Sequence, residues 1–155
     1  MGPVPAETAT DWADHANRAL SDAGHRAGGA RAAVVEAVAK QHCCRSAQEI
    51  ADHLGRSGSA IGLASVYRAL DVLHGLALVQ RVDFGDGEVR FEPILPGGEH
   101  HHHAVCDQCG KVTPFDDDRL ERALHSLADE IRHSVEAHEV VIHGTCSACG
   151  PGSKG

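Results

Sequence analysis

The sequence predicts an α+β chain in two parts. The first consists of short helices closed by a β-hairpin, and the second of strands around one helix, gathered by cysteines. Three observations carry this. Helical patterns with start and stop signals alternate up to about residue 75. "ALVQRVDFGDGEVRFEP" then alternates on both sides of Gly85-Asp86-Gly87, as a hairpin does. Beyond Pro93–Gly98, which holds two prolines and two glycines, the chain turns rich in His, Cys and Asp and carries two Cys-x-x-Cys motifs.

The 155 residues suffice for one ordinary domain or two small ones, and 42% hydrophobic content supports a core. Aromatics make up only 3%, so that core is built from Leu, Val, Ile and Ala. No stretch matches the roughly 20 apolar residues of a membrane span, and "MGPVPAETATDWADH" lacks the pattern of a secretion signal. A cytoplasmic protein without membrane contact is expected, in which six cysteines are metal ligands or thiols rather than a disulfide framework. The net charge is −8, with 8 Lys+Arg against 11 Asp+Glu in residues 1–89 and 6 against 11 in residues 90–155. Any contact with nucleic acid must therefore rest on one local surface.

Each element has its own signal. Asp11 to Ala23 predicts a helix capped by Thr10 or Asp11 and stopped by Gly24. "ARAAVVEAVAKQ" predicts a second, with Val34, Val35 and Val38 on one face. Ser46-Ala47-Gln48-Glu49 is a capping box opening a third, which ends at Gly55. In "LASVYRALDVLHGL", Val66, Leu70 and Leu73 share one face, while Tyr67, Arg68 and Asp71 lie on the other. Two short helices and a small-residue turn make a helix-turn-helix, and the hairpin after them is its wing. An unrelated α+β layout is the alternative. In the second part the histidine run, "KVTPF" and "HEVVIHG" predict strands, and "DDDRLERALHSLADEIRH" an amphipathic helix whose acidic start suits its dipole. The tail "PGSKG" is expected to be mobile.

Cys106-x-x-Cys109 and Cys146-x-x-Cys149 place two thiolates on each of two turns, which together complete a closed tetrahedral zinc site. Such a site is structural, since it leaves no open position for water. A thioredoxin-like redox pair is the alternative, but it would need one motif in a βαβ unit.

The run His100-His101-His102-His103 alternates faces if it is a strand, so it is two interleaved His-x-His pairs. Glu121 and His138 are candidates to complete one pair, with His125 as a competitor on the helix. Glu92 and either Cys44 or Cys43 are candidates for the other. A solvated polar loop is the alternative reading of the run.

Together, "GLASVYRALDVLHGLALVQRV", "GDGEVRFE", "HHHHAVCDQCGKV" and "HEVVIHGTCSAC" resemble the ferric uptake regulator (Fur) family of bacterial metalloregulators, from about residue 12 to 149. The resemblance implies an N-terminal winged helix-turn-helix domain over residues 1–92 and a hinge over 93–98. It implies a C-terminal α/β dimerisation domain with a four-cysteine zinc site over 99–155. It implies a homodimeric repressor of metal-uptake or homeostasis genes that binds double-stranded DNA at a palindromic operator. The implied structural Zn2+ lies at Cys106, Cys109, Cys146 and Cys149, and a second metal site at His100, His102, Glu121 and His138. A recognition helix over residues 63–74 would present Ser65, Tyr67 and Arg68, with Arg31 on the DNA backbone.

The implied sensing site is Cys44, Glu92, His101 and His103, and it departs from the family's subgroups. Iron- and peroxide-sensing members usually have a histidine at the place of Cys44 and an acid at that of Pro114. Zinc sensors of related bacteria typically use a hinge cysteine and a wing aspartate, near which this chain has Leu95 and Gln80. One thiolate, one carboxylate and two imidazoles suit tetrahedral Zn2+ better than octahedral Fe2+, and either is a candidate regulatory ion. A peroxide-responsive member of the family, a zinc hydrolase with Glu121 as general base, and a metal-storage protein are the rival functions. The hydrolase would need an open coordination position and a pocket, for which the sequence has no sign.

Overall fold

A computed structural model describes residues 6–26, 28–98 and 100–150; the tail after Gly150 lies outside the described residues. The chain divides into two compact units, residues 1–99 and 100–155.

The first unit is helical with a small sheet. Its elements are α1 (Ala6–Asp22), α2 (Gly29–Ala39), β1 (Arg45–Ser46), α3 (Ala47–Arg56), α4 (Leu63–Gly75), β2 (Val79–Asp83) and β3 (Val89–Pro93). Helix α1 starts five residues before the expected Asp11, so neither Thr10 nor Asp11 caps it. It ends as expected: Gly24 turns with φ 80° and the His25 N–H reaches back to the Leu20 carbonyl. The Ser46 capping box forms in full, with Ser46 Oγ accepting from Glu49 N–H and Glu49 Oε2 from Ser46 N–H. Helix α3 runs one residue past the expected Gly55, and Gly58 takes the positive φ of 83°.

The apolar faces of α2, α3 and α4 meet α1 in one core that contains Trp12, Val34, Val35, Val38, Ile50, Val66, Leu70 and Leu73. Trp12 is 1% exposed, and its Nε1 donates to the Leu78 carbonyl at 3.2 Å. That bond fastens α1 to the joint between α4 and the hairpin. At this joint Ala77 holds φ 54°, a left-handed conformation that costs an L-residue about 1–2 kcal/mol.

Strand β3 is central in a sheet of order β1-β3-β2, all antiparallel. The two-residue β1 was not expected. Its backbone pairs with Phe91 and Arg90, and so draws the segment before the capping box onto the hairpin. Pro93, expected to open the hinge, instead closes β3 opposite Val79. Strand ends tolerate proline because a missing N–H costs least there.

The second unit comprises β4 (His102–Cys106), β5 (Val112–Phe115), α5 (Asp118–Glu130) and β6 (Val141–Gly144). Strand β4 lies between β5, antiparallel, and β6, parallel. A parallel neighbour needs a crossover, and α5 supplies it. Asp117 caps α5, its carboxylate accepting from the Arg119 and Leu120 N–H groups at 2.8 and 3.2 Å. His100 and His101 precede the strand rather than lie in it, and His138 precedes β6. No helix among the described residues is long and apolar enough to cross a membrane.

Candidate metal centres and nucleic-acid face

The two cysteine turns meet at the end of the second sheet. Cys106 N–H is bonded to the Lys111 carbonyl, and Gly110 N–H returns to the Cys106 carbonyl at 2.8 Å, with Gly110 at φ 73°. The partner turn closes through Cys149 and Gly150 N–H to the Cys146 carbonyl. One sulfur of each of Cys106, Cys109, Cys146 and Cys149 lies within 4.8 Å of the others, and Cys109 Sγ is 3.8 Å from Cys146 Sγ. Four thiolates at about 2.3 Å from a tetrahedral zinc stand about 3.8 Å apart, so the set fits that ion. Backbone N–H groups of Cys146 and Cys109 aimed at Cys106 pull its thiol down to about 6. Cys149 is pushed up to about 12, chiefly by hydrogen bonding to the sulfurs of Cys109 and Cys146. A divalent cation among the sulfurs would reverse the second effect.

The second cluster joins His100, His102, Glu121 and His138, whose donor atoms also lie within 4.8 Å of one another. Glu121 Oε1 is 2.7 Å from His102 Nε2, Glu121 Oε2 is 2.9 Å from His138 Nε2, and His100 Nε2 is 3.2 Å from His138 Nε2. The first turn of α5 presents Glu121 at the positive end of the helix dipole. Its carboxyl is held down to about 2, first by the His102 hydrogen bond and then by His138. Three imidazoles around an ionised carboxylate form a donor set for a transition-metal cation. His125, the competitor for Glu121's role, is exposed, and its ring stands edge-to-face with that of His138, with centroids 6.1 Å apart.

The histidine pairs follow the alternation. His100 and His102 have ring centroids 5.3 Å apart, and those of His101 and His103 are 4.9 Å apart. His103 is buried, and the nitrogens of His101 and His103 approach within 4.8 Å.

The first unit holds its own donors. Glu92, on β3, is 1% exposed and accepts a hydrogen bond from Gln80 Nε2, its register partner on β2. That bond could have been foreseen, because facing residues of a hairpin share a side. Of the two adjacent thiols, it is the Cys43 sulfur that comes within 4.8 Å of a Glu92 oxygen. Cys44, the residue expected as the ligand, faces Cys43 at 3.7 Å, and its thiol is pushed up by that hydrogen bond and by burial. Spacing alone did not separate the two, because the chain bends at this point.

On α4, Tyr67 is 48% exposed and Arg68 is exposed beside it. Arg68 Nη2 donates to Ser65 Oγ at 3.0 Å, so the two form one polar patch. Arg31 lies on α2 instead, its Nη1 3.5 Å from the Arg26 carbonyl. The wing is acidic. Arg90 is held by Asp86 and Glu88 at 2.8 and 3.1 Å, which draws Asp86 down to about 2. Arg81 is the hairpin's exposed cation, bound to Asp71 of α4 at 3.0 Å. Sequence reading missed this pair. Tyr67, Asp71, Arg81, Gly87 and Glu88 line a cavity of about 600 Å³ between α4 and the wing.

The sequence profile of the ferric uptake regulator family matches residues 22–143. A ferric uptake regulation protein of Bacillus subtilis is 34% identical over 105 residues, covering 67% of this chain and 70% of its own. One from Vibrio cholerae is 34% identical over 135 residues, or 86% of this chain and 89% of its own. The crystal structure of the Vibrio cholerae ferric uptake regulator superposes with TM-score 0.74 at 34% identity, over 84% of this chain and 98% of that one. That of Pseudomonas aeruginosa, solved with manganese, gives 0.69 at 26% identity, over 84% and 97%. The chain belongs to the ferric uptake regulator family, and is a metal-responsive transcriptional regulator rather than an enzyme.

Proposed function

We propose that the chain is a homodimeric repressor whose regulatory ion is held by Cys43, Glu92, His101 and His103, with Zn2+ favoured over Fe2+. The supporting observation is that each unit presents half of this donor set. Cys43 and Glu92 converge in the first unit, and His101 and His103 in the second. A buried carboxylate such as Glu92 is charged only at a cost that a nearby cation offsets. When bound, the ion supplies a fixed positive charge that accepts donors from both units at once.

Residues 93–98 connect the two halves of the set. Joining the halves restricts this hinge, and so fixes the spacing of the two DNA readers in a dimer to two half-sites of a palindrome. At each half-site Tyr67 meets a thymine methyl, Arg68 a guanine edge or a phosphate, and Ser65 steadies Arg68. Arg31 grips the backbone. The apolar side chains of Leu127, Ile131 and Ile142 are 53%, 64% and 51% exposed in the second unit, and a second copy of the chain would cover them. Cys106, Cys109, Cys146 and Cys149 hold the structural zinc, and the Glu121 cluster a further ion. The regulated genes serve metal uptake or homeostasis in the cytoplasm.

The test is fluorescence anisotropy of DNA from the protein's own promoter, at buffered free Zn2+ and, anaerobically, free Fe2+. The reading predicts steep tightening at the lower free concentration for Zn2+. Indifference to both ions would refute it and bring oxidant sensing or metal storage forward.

A further inference from the structure

Adjacent residues of an extended chain send their side chains to opposite faces. Cys43 and Cys44 do not. The chain bends at His42 and Cys43, and the two sulfurs come to lie side by side, 3.7 Å apart. Both are partly exposed, so a small molecule can reach them. The segment is tied down on either side. Buried Gln41 donates from Nε2 to the Phe91 carbonyl at 2.8 Å, and Arg45 of β1 pairs with Phe91. The outcome is a dithiol whose geometry is set before any ligand arrives.

We propose that Cys43 and Cys44 together form a chelating site for trivalent arsenicals. An organoarsenic(III) oxide, R–As=O, condenses with two thiols. Both S–H bonds and the As=O bond break, two As–S bonds form, and the two protons leave with the oxygen as water. Arsenic stays trivalent, so no oxidant or reductant takes part. A single As–S bond exchanges readily, but a second thiol already 3.7 Å away closes the ring at high effective concentration. The other four cysteines converge on one another as a closed set suited to zinc, which withdraws them from competition. The site uses both thiols and no histidine. It goes beyond the regulatory reading, and a failure of operator binding would leave it standing.

The experiment titrates the full chain carrying zinc in its four-cysteine set alone, so that Cys43 holds no ion, with phenylarsine oxide in the absence of reductant and oxygen. Reactive thiols and released zinc are counted at each step. The proposal predicts that two thiols disappear per equivalent of arsenical, that zinc is retained, and that 1,2-ethanedithiol reverses the reaction. A monothiol at equal sulfhydryl concentration does not. Cys43→Ser and Cys44→Ser each lower the affinity at least tenfold, with the thermal transition followed by Trp12 fluorescence confirming that each variant is folded. Unchanged uptake in folded variants, uptake that releases zinc, or no uptake at all would overturn the proposal.

Discussion

The Glu121 carboxylate lies 2.7 Å from His102 Nε2, joining the first turn of α5 to the first residue of β4. Held down to about 2, that carboxyl is ionised throughout the neutral range. As pH falls from 7 to 5, Glu121 therefore keeps its negative charge and stays a competent ligand. Glu121→Gln keeps the shape but removes the charge, and is expected to weaken metal binding about tenfold or more. Competition with a chromophoric chelator measures this.

Cys109→Ser opens the four-sulfur set. The expected outcome is the loss of one zinc per chain and of order in the second unit, since a structural zinc contributes on the order of 10 kcal/mol of apparent folding free energy. The first unit has its own core around Trp12, so its cooperative unfolding, followed by the chain's one tryptophan, should persist. Metal analysis and tryptophan fluorescence on the same sample check both parts.

The Arg90 side chain is 11% exposed and held by Asp86 and Glu88, whereas that of Arg81 is 51% exposed beside its Asp71 partner, so Arg81 is the hairpin cation expected to reach DNA. Arg81→Ala should lower the slope of log affinity against log salt by about one. Arg68→Ala should weaken operator binding by about tenfold to a hundredfold and leave zinc content intact. Salt-dependent anisotropy separates the two roles.

The Asp86–Arg90 pair also sets an acid limb on stability. Asp86 has its folded pKa lowered to about 2, so its contribution is complete above the ordinary aspartate value of about 3.9. It is lost as pH falls toward 2. The pair is solvent-screened, so Asp86→Asn should cost only about 0.5 kcal/mol at pH 6 and almost nothing near pH 2. Urea unfolding of the first unit at both pH values, read from Trp12, tests the sign and the size.

Ala77 at φ 54° predicts the opposite kind of change. Ala77→Gly relieves a left-handed alanine and should stabilise the first unit by about 0.5–1 kcal/mol. A lower melting temperature would show that this joint is not strained.

Which parts were legible follows from how local their causes are. The capping box at Ser46, the Gly24 stop and the apolar face of α4 depend on residues within one or two helical turns. The alternation of the histidine run depends only on backbone period. By contrast, β1 exists because β3 offers a free edge to Arg45 and Ser46, and no local signal in two residues marks that. That the sulfur of Cys43 comes near Glu92 depends on the bend at His42 and Cys43, which no local signal marks. The Arg81–Asp71 bond joins a strand to a helix ten residues away and depends on their packing.

The central claim is that metal at Cys43, Glu92, His101 and His103 and DNA at α4 favour the same arrangement of the protein. Thermodynamic linkage requires that if the ion tightens operator binding by some factor, the operator tightens ion binding by the same factor. The direct measurement is the regulatory zinc affinity with and without saturating operator DNA, on protein whose structural zinc is in place. The account predicts a tightening of roughly 5–150-fold, equal to the gain in DNA affinity measured separately. Equal zinc affinities in the two conditions would contradict it.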